Sequence, residues 1–212
     1  TKSDDYLFPV MSKKYLKDHG ISYQDTCEGG FIKNDGICVG NGLITYRYEN
    51  GQIKLEESYK NGKPDGKWTD RYENGQIKSE ESYKDGEKEG KFSTWYQNGQ
   101  IKSEGSYKVD NPDGKWTIWY ENGQINIETT YEDDKKNGKY TEWYKNGQIK
   151  AEESYKDGKK EGKFSTWYQN GQIKSEENYT NGKLDGEKTV WYENGQIMND
   201  EMDLIMSSFS FN

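Results

Sequence analysis

Carboxylates are the residues of this 212-residue chain best able to do chemistry, because a pair of them can run glycosidase-type acid and base steps. Here they recur instead of converging. Glu80, Glu104, Glu128, Glu152 and Glu176 are evenly spaced, and Glu57, Glu81, Glu153 and Glu177 follow the same period. An active site needs one unique geometry, and a set copied in every repeat does not supply it. The one histidine, His19, lies outside this pattern and belongs to no set of nucleophile, base and acid. Asp110-Asn111-Pro112-Asp113-Gly114 faintly suggests calcium, but a solvated turn is much the stronger reading. No enzymatic activity, metal or cofactor is expected. Cys27 and Cys38, the only cysteines, are too few for a zinc site without nearby histidines. They form either a disulfide, which implies an oxidising compartment, or two free thiols. What remains is aromatic. Trp95, Trp119, Trp143, Trp167 and Trp191 recur in step, with Arg47 and Arg71 in the same place earlier.

That spacing belongs to a repeat. Asn-Gly-Gln-Ile recurs with its glycine at Gly51, Gly75, Gly99, Gly123, Gly147, Gly171 and Gly195, at intervals of 24. A second glycine keeps the same beat from Gly42 to Gly186. Residues 89–104 and 161–176 are identical (EGKFSTWYQNGQIKSE), three periods apart, which suggests duplication of a block. Each unit reads as two strands and two turns, so no Asn-Gly or Asp-Gly pair is left for a phosphate loop. Over residues 114–131, a type I′ turn at Asn122-Gly123 sets Tyr120 opposite Ile125, Trp119 opposite Asn126, Ile118 opposite Ile127 and Trp116 opposite Thr129. The other turn reads as a four-residue loop that sets Tyr83 opposite Gly90, where the ring can cover the glycine. Chained hairpins then make a meander advancing about 10 Å per repeat, about 60–70 Å in all.

Alternation sorts the side chains onto two faces. One collects the tyrosine column from Tyr48 to Tyr192, the isoleucines from Ile53 to Ile197, the tyrosines from Tyr59 to Tyr179, and Trp68, Phe92, Trp116, Tyr140 and Phe164. Glu57, Glu81, Glu153 and Glu177 share it and are expected at its wet margin. The other face carries the five tryptophans, with Lys102, Lys150 and Lys174 directly across the turn from three of them. Trp95, Trp119, Trp143, Trp167, Trp191, Lys102, Lys150 and Lys174 are therefore the candidate partner-binding residues. A plainer reading has the tryptophans stack on one another across repeats and bind nothing.

Bulk properties fit such an array. Leu, Ile, Val and Phe make up only 30 of 212 residues, below the roughly 20% at which disorder becomes the default. Eighteen Tyr and seven Trp reverse that reading, because they bury large areas. A net charge of -8 disfavours nucleic acid and anionic headgroups, and no apolar run is long enough for a transmembrane segment. The fold class is thus all-β: an elongated, twisted, single-layer antiparallel meander. Residues 1–40 read as an N-terminal cap with a short helix near Met11–His19 and the Cys27–Cys38 pair. Residues 41–200 are the array, and residues 201–212 a capping strand where the pattern decays, beginning with Lys188 in the aromatic ladder.

The unit W-Y-x-N-G-Q-I-K-x-E-x-x-Y-K-x-G-K-x-x-G-K-W resembles the variant MORN repeat of the bacterial YwqK-like antitoxin family, over about residues 40–200. The resemblance implies an antiparallel meander, a protein-interaction role, in some cases as the antitoxin of a toxin pair, and no catalytic residues. Similar arrays occur in secreted or surface proteins of AT-rich anaerobes. Two functional readings follow. One is a secreted or cell-surface bacterial module that binds a protein partner, with a glycan as the other ligand class. The second is a cytoplasmic antitoxin whose acidic surface complements a basic toxin. A structural scaffold without a ligand stands beside them. Oligomeric state is not read from the sequence.

Overall fold

The computed structural model describes residues 42–198, together with the backbone of residues 21–22, 32–34 and 37–39. The helix expected near Met11–His19, the Cys27–Cys38 pair and the capping strand at residues 201–212 lie outside the described side chains. All described regular structure is β, and its strands pair antiparallel. The chain divides into two compact units, residues 1–87 and 88–212.

In the first unit, Gly42–Tyr48, Ile53–Lys60, Gly66–Arg71 and Ile77–Lys84 pair in succession. Ile21–Ser22 adds to the outer side of Gly42–Tyr48, and Ile32–Asn34 with Ile37–Val39 forms a separate hairpin. In the second unit, Glu87–Trp95 and Ile101–Lys108 pair, and the meander continues through Asn111–Trp119, Ile125–Glu132, Gly138–Trp143, Ile149–Lys156, Gly162–Trp167 and Ile173–Thr180. Thr189–Val190 is its last described strand.

The structure corrects both turn types assigned from sequence. At Asn-Gly-Gln only the glycine takes positive φ, 84° at Gly123. Gly123 N–H donates to Tyr120 O at 2.9 Å and Tyr120 N–H to Gln124 O at 2.8 Å. This is a three-residue loop closed by a glycine bulge, not a two-residue type I′ turn. Asn122 contributes its side chain instead of its φ, since Asn122 Oδ1 accepts from Gln124 N–H at 3.1 Å. The two-residue turn with positive φ at both positions lies at the other end: Asn61 (51°) and Gly62 (75°), Asp133 (47°) and Asp134 (63°), Asn181 (52°) and Gly182 (80°). The expected four-residue loop is absent there, and the equivalents of Tyr83, namely Tyr59, Tyr131 and Tyr155, face Pro64, Lys136 and Lys160 across the turn, not the glycine two residues further on.

The register is corrected near the first turn and holds beyond it. Ile118 faces Ile127 and Trp116 faces Thr129, as expected. Trp119, however, faces Ile125, and Asn126 is the extra residue of a bulge. Ile125 is thereby moved from the tyrosines to the tryptophan face.

Packing is thin. Among the described residues, Ala151 and Phe164 are the only buried apolar side chains, each 6% exposed. Burial comes from an interleaved aromatic stack on one face. In the first unit Trp68 sits between Tyr59 (5.5 Å between centroids) and Tyr83 (4.6 Å). In the second, Trp116 meets Phe92 (5.4 Å), Tyr107 (5.2 Å) and Tyr131 (6.3 Å), and Phe164 lies between Tyr155 (5.6 Å) and Tyr179 (4.8 Å). Lys136 Nζ lies 4.3 Å from the Tyr140 centroid and 4.9 Å from that of Tyr155, filling a gap in the stack with a cation. Glu57 is not at a wet margin: it is 8% exposed and accepts from Tyr59 Oη at 2.9 Å and Tyr46 Oη at 3.4 Å. Burial holds its carboxyl above the usual carboxylate range, partly offset by those donors. Lys188, where the aromatic ladder stops, replaces ring contact with an ion pair to Glu177 at 2.7 Å.

Candidate interaction surface

The tyrosine preceding the Asn-Gly-Gln turn is a tie between repeats at five of the seven turns. Tyr96 Oη donates to Trp119 O (2.7 Å), Tyr120 Oη to Trp143 O (2.7 Å), Tyr144 Oη to Trp167 O (2.8 Å) and Tyr168 Oη to Trp191 O (2.8 Å). In the first unit Tyr48 Oη donates to Arg71 O at 2.6 Å. The turn asparagine reaches the same way: Asn146 Nδ2 donates to Gln169 O at 3.1 Å and Asn170 Nδ2 to Glu193 O at 3.3 Å. Tyrosine and asparagine are thus occupied in holding one hairpin to the next.

The other face has three rows. The first two form an ion ladder: Lys67–Glu80 (2.5 Å) in the first unit, and Lys91–Glu104 (3.1 Å), Lys115–Glu128 (2.6 Å), Lys139–Glu152 (2.5 Å) and Lys163–Glu176 (2.5 Å) in the second. Between the Lys and Trp positions runs a buried hydroxyl column of Thr69, Ser93, Thr117, Thr141 and Ser165, 4–8% exposed. The sequence reading missed this column, although a Ser or Thr follows the ladder aromatic in each of these repeats.

The third row is apolar and lies wholly in the second unit. Trp95 faces Ile101, Trp119 faces Ile125, Trp143 faces Ile149 and Trp167 faces Ile173, with an isolated bridge joining Trp191 and Ile197. All five tryptophans are half-buried. Ile149 is 36% and Ile197 51% exposed. No ring-to-ring contact joins Trp119, Trp143 and Trp167. Ring stacking therefore does not link these three to one another. In the first unit the same places hold Arg47 and Arg71, facing Ile53 and Ile77. Their Nη1 atoms donate to the turn carbonyls Gly51 O (3.0 Å) and Gly75 O (3.4 Å).

The lysines grouped with these tryptophans from sequence do not join them. Lys102, Lys150 and Lys174 fall in the bulges, and isoleucine takes the place opposite each tryptophan. Their Nζ atoms lie 5.7, 5.9 and 5.5 Å from the rings of Tyr96, Tyr144 and Tyr168. Lys150 also pairs with Glu142 at 2.7 Å, which raises the lysine pKa. An error of one residue at a bulge transfers a side chain to the opposite face.

Nothing in this geometry converges on a reacting atom. A shallow groove lined by Tyr120, Glu121, Asn122 and Lys145 contains no acid–base pair in contact. Among the described residues no group of three or more His, Cys, Asp or Glu is placed to hold a metal ion, and no helix is long and apolar enough to cross a membrane. No curated protein matches the chain. Residues 41–61, 64–85, 88–108, 112–133, 136–157, 160–181 and 184–201 match the MORN repeat variant, seven copies in step with the hairpins described above, and the chain belongs to that family.

Proposed function

We propose that this is a non-catalytic binding module whose Trp–Ile row in the second unit docks a protein partner. The observation that carries this reading is the row itself. It holds five tryptophans and five isoleucines on the face away from the aromatic stack, with Ile149 and Ile197 among the most exposed large apolar side chains. Tryptophan anchors bordered by charge are the usual make-up of an interface centre. The adjoining Lys–Glu ladder is internally neutralised, so it limits wrong partners by geometry more than by net attraction. Replacement by arginine suits the test, because Arg47 and Arg71 hold the same place in the first unit. Full-length chain and its W119R/W143R variant, each immobilised, are exposed to extract of the native cells, and retained proteins are quantified by mass spectrometry. A protein retained by the parent and lost by the variant is expected; equal retention contradicts the reading.

The module is read as exported and displayed at the cell surface of a bacterium. Its counterpart, a cytoplasmic antitoxin like those of the YwqK-like family, draws support from the net charge of -8, which complements a basic toxin. The redox state of Cys27 and Cys38 in protein from its native source decides between them: a disulfide favours export and two thiols the cytoplasm.

A further inference from the structure

Besides the glycine that opens the strand at Gly66 and its equivalents, the repeat places asparagine or aspartate before glycine in two kinds of turn, and the fold treats them differently. Asn-Gly is the sequence most open to succinimide formation, in which the glycine nitrogen attacks the asparagine side-chain carbonyl. In all seven Asn-Gly-Gln turns the asparagine Oδ1 accepts from the glutamine N–H, at 2.9–3.1 Å. In five of them Nδ2 also donates to a carbonyl of the next repeat, at 3.1–3.5 Å. Asn181-Gly182, like Asn61-Gly62, occupies the other kind of turn. Its φ values are 52° and 80°, it is exposed, and its side-chain amide makes no hydrogen bond among the described residues. The glycine N–H is bonded in both kinds, to Tyr120 O at 2.9 Å for Gly123 and to Lys160 O at 2.9 Å for Gly182, so the difference lies in the side-chain amide.

We propose that Asn181 is a deamidation site of the folded chain, and that the clamped side chains of the Asn-Gly-Gln turns protect the repeat motif from the same reaction. Gly182 N loses its proton to solvent base and bonds to Asn181 Cγ. The Cγ–Nδ2 bond breaks, ammonia leaves, and a five-membered succinimide remains. Water then opens the ring at either carbonyl. One product carries an ordinary aspartate in place of Asn181. That residue type already precedes glycine at Asp85 and Asp157, and the turn accommodates it there with φ of 52° and 51°. The other product is an isoaspartyl linkage, which adds a methylene to the backbone of a two-residue turn. Either product places a carboxylate near Glu161, whose Oε2 accepts from Asn181 N–H at 2.8 Å.

Breaking two side-chain hydrogen bonds before ring closure slows it about 30-fold. The full chain is incubated in mildly alkaline buffer, and deamidation at Asn181, Asn98, Asn122, Asn146 and Asn170 is followed by peptide mapping and mass spectrometry. A parallel sample is kept in denaturing urea. Asn181 is expected to react about 30-fold faster than the other four in buffer, and at a similar rate to them in urea. Equal rates in buffer overturn the proposal. A preference for Asn181 that persists in urea also overturns it, because the cause is then local sequence and not the fold.

Discussion

Gly105 stands where four other repeats carry Glu57, Glu81, Glu153 and Glu177, and it lies beneath the Trp116 indole. A methyl group added to Gly105 would lie 2.2 Å from Trp116 Cδ2, 2.3 Å from Cε2 and 2.7 Å from Cε3. The ring has little room to withdraw, with Phe92 5.4 Å away, Tyr107 5.2 Å and Tyr131 6.3 Å between centroids. Overpacking of this kind costs about 1–3 kcal/mol. The change from glycine to alanine within a strand returns about 0.5–1 kcal/mol, since Gly105 does not hold a left-handed backbone. G105A is therefore expected to lower the stability of the second unit by about 1–2 kcal/mol net. Urea unfolding followed by far-UV circular dichroism measures this, and the W116A background separates the two terms. With the indole removed, the clash disappears and G105A becomes neutral or stabilising. The reasoning fails if G105A is as stable as the parent, or if its cost is undiminished when Trp116 is alanine.

Glu57 and Val109 each give a further test of the same geometry. Glu57 has its folded pKa raised above the ordinary value of 4.5 by burial, so its contribution is fully present below that pH and is lost as pH rises through the folded value. E57Q should match the parent in acid and exceed it in unfolding midpoint at neutral pH, as read by thermal melts at several pH values; a gap of constant size contradicts this. Val109 takes φ of 50° in a turn where the aligned residues are Asn or Asp, although a β-branched side chain disfavours that region. V109N should stabilise the second unit by about 1 kcal/mol in urea unfolding, and a loss of stability would show that Val109 is held by contacts.

Strand existence, repeat length and the interior register were legible because the 24-residue period and strict alternation admit one pairing, as at Ile118–Ile127. The turns were misread because Asn-Gly is the strongest signal for a type I′ loop, and here the asparagine bonds through its side chain instead. That one substitution of turn type produces the bulge at Asn126 and its equivalents. It moves the isoleucines to the tryptophan face and removes Lys102, Lys150 and Lys174 from it. The tryptophans themselves were legible as a row on the face opposite the aromatic ladder. The hydroxyl column and the burial of Glu57 were not, since both residue types favour solvent and only neighbouring side chains cover them.

On the proposed reading two sets of tryptophan divide the labour, Trp116 holding the fold and Trp119 with Trp143 left for a partner. Urea unfolding of W116A beside W119R/W143R tests that division most directly. W116A should lose about 3–5 kcal/mol, while the arginine pair, placed as Arg47 and Arg71 are, should stay within about 1 kcal/mol of the parent. A double variant as destabilised as W116A would show that the outer row holds the sheet together and is not a surface kept for binding.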